Sequence, residues 1–285
     1  MTATTADGLP AAPAADTAPA APAIAAGLVV ENVTVSFGGL SVLDNVSLTS
    51  STGEIVGVIG PNGAGKTTLF NVICGFVRPQ EGRVVWRGKE LRHHHPYDLA
   101  SLGIERTLQG VGLFQGLDAL DNVLVGAAPV ARSGLFSALF GLWPSSREER
   151  RLRDQAMEAL DRMGVAEYAA RMPSTLPYPV QKRIALARAL VSQPALVMMD
   201  EPASGLSASD ISELAELLGA LRSEMGVLIV EHNMDLVMAT CDRIVVLDFG
   251  KVIATGVPDE IRADPVVTTA YLGEAVESEP ADARD

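Results

Sequence analysis

Residues 54–68 read Glu-Ile-Val-Gly-Val-Ile-Gly-Pro-Asn-Gly-Ala-Gly-Lys-Thr-Thr: a short apolar run ending in Gly60, a glycine-rich turn, then Lys66. The run predicts a buried strand, and TTLFNVICGF (67–76) predicts a helix directly behind the turn. Gly60 to Thr67 fits G-x-x-x-x-G-K-[ST] at every fixed position, in the strand–loop–helix setting that this motif requires. Glycines let backbone N–H groups converge on an anion, and a helix N-terminus near Lys66 adds partial positive charge. Gly60, Pro61, Asn62, Gly63, Ala64, Gly65 and Thr68 are therefore candidates for a phosphate cradle. Lys66 would reach the β- and γ-phosphates, and the Thr67 hydroxyl would ligate Mg2+. Kinases, GTPases, helicases and transport ATPases share such a P-loop, so other residues must decide among them.

Outward from the loop, strands and helices alternate. LVVENVTVSF (28–37) and VLDNVSLTS (42–50) alternate apolar and polar positions, as half-buried antiparallel strands do. ALVMMD (195–200) and GVLIVEH (226–232) are buried-strand runs, and RIVVLDFGKVIATG (243–256) reads as a hairpin turning at Gly250. These predict an α/β fold: a P-loop NTPase core with a mostly parallel sheet and an N-terminal antiparallel β region. From about 100 to 188 the chain turns helical, with EERRLRDQAMEALDRMG (148–164) amphipathic, which predicts an inserted helical subdomain.

The strand run 195–200 ends in Asp200 and Glu201. The first carboxylate suits Mg2+ coordination, and the second suits orienting and polarising an attacking water. The next buried run ends in Glu231-His232, the one histidine at a strand terminus. His93, His94 and His95 precede Pro96 without a Cys or distant His partner and read as a solvated turn, with adventitious metal binding as the alternative. Cys74 and Cys241 lack CxxC spacing and read as small core residues.

From about Leu28 to Gly273 the chain resembles the ATPase subunits of ABC transporters. The resemblance rests on GPNGAGKTT (60–68), RTLQ (106–109), MMDEP (198–202), SGLS (204–207) and EH (231–232), in that family's order. It implies ATP and Mg2+ as ligands. It makes Gln109 the residue that touches Mg2+ and the attacking water while coupling to a permease. Asp200 becomes a metal ligand, Glu201 the catalytic carboxylate, and His232 the γ-phosphate switch. Phe37 lies where the family stacks an aromatic on adenine, although SFGG (36–39) also reads as an exposed strand end. RTLQGVGLF (106–114) and GVPDEIRADPVVTTAYLGE (256–274) are similar to the branched-chain amino-acid importer group. That group implies hydrophobic amino acids or small amides as cargo, membrane permease subunits and, indirectly, a solute-binding protein. Lipopolysaccharide-export ATPases share part of this ending.

One motif departs from the family. Where LSGGQ is expected, the chain has Leu176-Pro177-Tyr178-Pro179-Val180. In the family these positions donate to ATP bound by the opposite subunit, and each donor lost to a charged group removes roughly 1.5–3 kcal/mol. The expectation is an unequal pair: this P-loop completed by a different ATPase, and an impaired site beside Pro177 and Pro179. A helix beginning near Tyr178, with Tyr178 and Val180 still donating N–H groups, is the alternative. A nucleotide clamp with little hydrolysis of its own is a second one. In SGLS, Ser207 replaces the usual Asp; beyond it Asp210 and Glu213 are spaced as a capping pair, and Ile211, Leu214, Leu217, Leu218 and Leu221 face a core.

The net charge of −13 excludes a nucleic-acid binder, since phosphate backbones are held by clustered Lys and Arg. It also directs membrane association through a protein partner. No run reaches the roughly 18–20 apolar residues of a membrane span, and no signal peptide is expected. The expected place is the cytoplasmic face of the membrane, peripherally bound. GLFSALFGLW (134–143) reads as a permease-facing surface or a buried helix. Residues 1–27, rich in Ala and Pro, and the acidic 274–285 are expected to be loose tails flanking an ATPase domain at 28–273.

Overall fold

The computed structural model describes residues 27–107, 110–127 and 146–277. Gln109, the segment 134–143 and the N-terminal stretch 1–26 lie outside the described residues.

Strands β1 (Leu28–Phe37) and β2 (Leu40–Ser50) pair antiparallel across Gly38-Gly39, both at positive φ. β4 (Glu81–Trp86) and β5 (Lys89–Glu90) complete a four-stranded sheet in the order β2-β1-β4-β5. The second sheet runs β10-β9-β3-β8-β7-β6. Its members are β3 (Ile55–Ile59), β6 (Ile104–Arg106), β7 (Leu196–Asp200), β8 (Gly226–Val230), β9 (Arg243–Asp248) and β10 (Lys251–Gly256). β9, β3, β8, β7 and β6 run parallel, and only β10 turns back antiparallel at Phe249-Gly250. The expected α/β architecture is present.

β3, β7 and β8 are buried at every position, which is why they read as continuous apolar runs. Alternate residues serve opposite cores. Val56, Val58, Met198, Leu228 and Val230 pack with helix α1 (Lys66–Ile73) and the antiparallel sheet. Ile55, Ile59, Val197, Met199, Val227 and Ile229 face the helices of the other layer. Both cysteines are buried and free, as expected, and burial pushes the Cys241 thiol up to about 12.

Between β6 and β7 come the short helix α3 (Ala119–Gly126), α4 (Ser146–Arg162) and α5 (Tyr178–Leu190), with no strand among the described residues. They meet at Val123, Leu160 and Ile184, all fully buried. The earlier α2 (Leu99–Leu102) leads into β6, a short strand inside the span read as helical that pairs with β7. After β7 come α6 (Ala208–Leu221), α7 (Met234–Thr240), α8 (Pro258–Ala263) and α9 (Pro265–Glu277). α9 continues into the stretch read as a loose tail, through Glu274 and Ala275, since no proline follows until Pro280.

Two local expectations change. His94 is not part of a solvated turn: it is half-buried, with Nδ1 3.0 Å from the Leu91 carbonyl and Nε2 2.8 Å from that of Ile73. α6 is capped by Ser207 with Asp210, whose Oδ2 accepts from the Ser207 hydroxyl at 2.6 Å; Glu213 instead pairs with Arg183 on α5. The core-facing stripe of α6 holds, with Leu218 and Leu221 buried and Ile211, Leu214 and Leu217 packed against them.

At the edge of the parallel sheet, burial raises the Glu105 carboxyl to about 6, against the pull of the Ser192 hydroxyl and Arg188. The folded chain thus holds this proton more tightly than the unfolded chain, so stability falls as pH rises from about 4.5 to 6. Glu105→Gln is expected to raise stability at pH 8 by a few tenths to about 1 kcal/mol after solvent screening. Thermal melts at pH 8 and pH 4 check this, with no gain expected at pH 4.

Candidate active site

β3, β8 and β7 are adjacent and parallel, so their C-terminal ends open on one edge of the sheet. The Gly60 loop leaves β3, Glu231-His232 leaves β8, and Asp200-Glu201 closes β7. Groups separated by some 170 residues of chain therefore meet on neighbouring strands.

In the loop, Gly60, Gly63 and Gly65 have φ of 151°, 79° and 99°. A Cβ on Gly60 would stand 2.0 Å from the Leu247 carbonyl oxygen, and one on Gly65 would stand 2.7 Å from that of Val42. Only glycine lets the loop pass this close to β9 and β2. The Lys66 ammonium donates to the carbonyls of Gly60 (2.6 Å) and Pro61 (2.8 Å), which curls it over the loop. Asn62, Gly63 and Thr67 are exposed, Pro61 and Thr68 partly so, and Ala64 is buried beneath. Phe37 ends β1 on the hairpin that also brings Val42 to the loop, and its ring is 52% exposed, leaving a face to stack on.

Asp200 is buried, and its Oδ2 accepts from the Arg106 guanidinium at 3.2 Å. Arg106 also donates to Asn71 Oδ1 on α1 at 2.9 Å and lies 5.8 Å from the ring centres of Phe70 and Phe76. Glu201 has φ of 50°, a left-handed conformation costing about 1–3 kcal/mol in a non-glycine residue. Its N–H donates to the Val230 carbonyl at 2.9 Å, tying it to β8. That twist turns its partly exposed carboxylate towards His232, with Oε1 3.7 Å from Nδ1.

Two groups with no role assigned from sequence belong to this edge. Arg106 was visible only as part of RTLQ, because its partner lies 94 residues away. Glu231 is fully buried, and it accepts N–H bonds from Ala203 (2.6 Å), His232 (2.9 Å) and Asn233 (3.0 Å). A carboxylate closing an apolar strand run is the signal, since a buried charge must find donors. The chain two residues before Gln109 is anchored by Thr107, whose N–H donates to the Met198 carbonyl at 2.9 Å.

At the departing motif, Pro177 (φ −58°, ψ 148°) precedes α5, and Pro179 sits in its first turn. Gln181 donates its N–H to the Pro177 carbonyl at 3.1 Å. Tyr178 and Val180 are thus the residues whose N–H groups open at this helix end, since Pro179 has none.

The edge offers convergent backbone donors and a lysine for phosphates. The Thr67 hydroxyl and the buried Asp200 carboxylate are hard oxygen donors, the type that suits Mg2+. A carboxylate beside an imidazole suits water activation.

Residues 43–204 match the family model described as ABC transporter, and residues 251–277 match that of the branched-chain amino acid ATP-binding cassette transporter. The chain is 42% identical over 250 residues to the high-affinity branched-chain amino acid transport ATP-binding protein LivG of Salmonella typhimurium, covering 87% of this chain and 98% of the relative. It is 31% identical to the lipopolysaccharide export system ATP-binding protein LptB of Haemophilus influenzae, over 87% of this chain and 97% of that one. Among solved structures, the ADP conformation of an ATP-binding cassette of an ABC transporter superposes with a TM-score of 0.75 at 31% identity, covering 87% and 99% of the two chains. The chain belongs to the ATP-binding cassette family of ABC transporters, the ATPases that drive transport.

Proposed function

We propose that this chain binds and hydrolyses ATP to power import of branched-chain or other hydrophobic amino acids, or small amides. The match of residues 251–277 to the branched-chain group carries the cargo class. The lower identity to the lipopolysaccharide-export relative, 31% against 42%, weighs for import over export.

In this reading the loop 60–68 and Lys66 bind the phosphates, and Phe37 offers its face to the adenine. Thr67, Asp200 and Gln109 would hold Mg2+, which would offset charge on the phosphate oxygens. Glu201 orients the attacking water and takes its proton as the bond to the γ-phosphorus forms and ADP leaves. His232 donates to a γ-phosphate oxygen. Arg106 holds Asp200 in place for this work.

Coupling uses the groove beside β6, where Phe76 (63% exposed) and Tyr97 (77% exposed) flank Arg106. We assign this groove to a permease segment, because a side chain seated there touches Arg106 and, through it, Asp200. The chain works at the cytoplasmic face, held by permease subunits that receive cargo from a solute-binding protein. Among the described residues no helix is long and apolar enough to cross a membrane.

Pro177 and Pro179 support pairing with a second, different ATPase, since a homodimer would place the same prolines at both sites. ATP turnover by the chain alone is expected to be at most about a tenth of that of the reconstituted pair, each donor lost to a charged group being worth roughly tenfold or more. Phosphate release by the two preparations, scored beside leucine uptake into vesicles, tests this. Brisk turnover by the chain alone would favour the alternative in which Tyr178 and Val180 suffice as donors.

A further inference from the structure

The loop that follows β7 is gripped from two sides within the same chain. On the β8 side, the Glu231 carboxylate accepts from the Ala203 N–H at 2.6 Å. On the other side, Lys182 of α5 donates its ammonium to the Pro202 carbonyl, also at 2.6 Å. Lys182 lies 5.4 Å from the centre of the Tyr178 ring, one helical turn earlier on the same face. The ring itself packs on Gly205, where an added Cβ would come within 2.9 Å of Cε1. Burial lowers the Lys182 ammonium, and the Glu231 and Glu201 carboxylates oppose that loss of charge. Pro202 is the residue next to Glu201, whose left-handed backbone must be held by its surroundings.

We propose that Lys182, together with Tyr178, is a positioning residue for Glu201. The helix whose start faces a partner's nucleotide also clamps its own chain's carboxylate loop. The prolines remove donors directed at the partner, yet they leave Tyr178 and Lys182 one turn apart on α5, so the clamp survives where the trans contact weakens. Movement of the helical segment relative to the sheet then displaces the Pro202 carbonyl and Glu201 together. This proposal rests on the reading of Glu201 as the water-activating group.

The test uses the full chain in its assembled transporter, carrying Lys182→Met, Lys182→Arg, Tyr178→Ala or Glu201→Gln. For Lys182→Met, kcat is expected to fall about ten- to a hundredfold, the loss that a displacement of about 1 Å brings. KM for ATP should stay within about twofold, since nucleotide binding is not the step removed. Arginine should restore most of the turnover, because it also donates to a carbonyl and stacks on an aromatic ring. Tyr178→Ala, which leaves the charge in place, should give a smaller loss in the same direction. A folded Lys182→Met protein with wild-type kcat, beside an inactive Glu201→Gln, overturns the clamp alone. A rise in KM matching the fall in kcat/KM overturns it too, by assigning Lys182 to binding. Wild-type turnover in Glu201→Gln overturns the Glu201 reading and this proposal with it.

Discussion

ATP hydrolysis by the Glu201→Gln variant is expected to fall about a hundred- to a thousandfold, with ATP affinity unchanged. The carboxylate and amide have nearly the same shape, so the left-handed backbone and the hydrogen bond to the Val230 carbonyl should persist. What disappears is the proton acceptor 3.7 Å from His232. The Gly60 loop, which leaves β3 and leads into α1, is not touched by the change and keeps its donors. Steady-state phosphate release and equilibrium nucleotide binding separate the two quantities. Near-normal hydrolysis would overturn the reading of Glu201 as the water-activating group, whereas hydrolysis that is negligible in parent and variant alike would favour the nucleotide clamp. A large loss joined to tight ATP retention is the outcome expected of an enzyme stopped before bond cleavage.

Gly60→Ala should be among the most damaging single added methyls at the described residues. The new Cβ would lie 2.0 Å from the Leu247 carbonyl oxygen, far inside van der Waals contact, and the obstacle is backbone of the neighbouring strand β9. The φ of 151° is also one that an L side chain rarely adopts. A flexible side chain at that point would move aside; a carbonyl held in a sheet cannot without unpairing its strand. The expected cost is about 3–5 kcal/mol, which for a chain of this size lowers the melting midpoint by about 6–20 °C. Calorimetry with and without nucleotide checks both parts, because the distorted loop should also lose most of the stabilisation that ATP confers. A melting point within about 2 °C of the parent would refute the close approach to β9.

Legibility in the sequence followed the range of the interactions. The glycine-rich loop at 60–68 is a local device, its glycines and lysine nearly consecutive in the chain, and its strand–loop–helix setting was legible at once. The fully buried β3, β7 and β8 were equally plain, because burial on both faces leaves no polar residue to break the run. β4, β5 and β6 went unassigned. Residues 81–83 are all exposed, and strands of two or three residues are too short to display a period. Asp200, Glu201 and His232 stood out through their position at strand ends, and the sheet brings them to one edge. Arg106 and Glu231 carried no assigned role, because Asp200 for the one and Ala203 for the other are distant in the chain, and only the pairing of β6, β7 and β8 brings them close. The His94 contacts were hidden for the same reason: its second carbonyl belongs to Ile73, at the end of α1.

The strand order β3-β8-β7 has a consequence for biogenesis. The strand between the phosphate loop and the acidic pair is supplied late, by residues 226–230. Until it inserts, Glu201 lacks its Val230 partner, and the loop at Ala203 lacks Glu231. A nascent chain that has made the Gly60 loop and the acidic pair therefore still lacks the strand that joins them, and β9, against which the loop packs, comes later again. The two halves of this edge are joined only by a pairing distant in the chain, the kind of contact that forms late in folding.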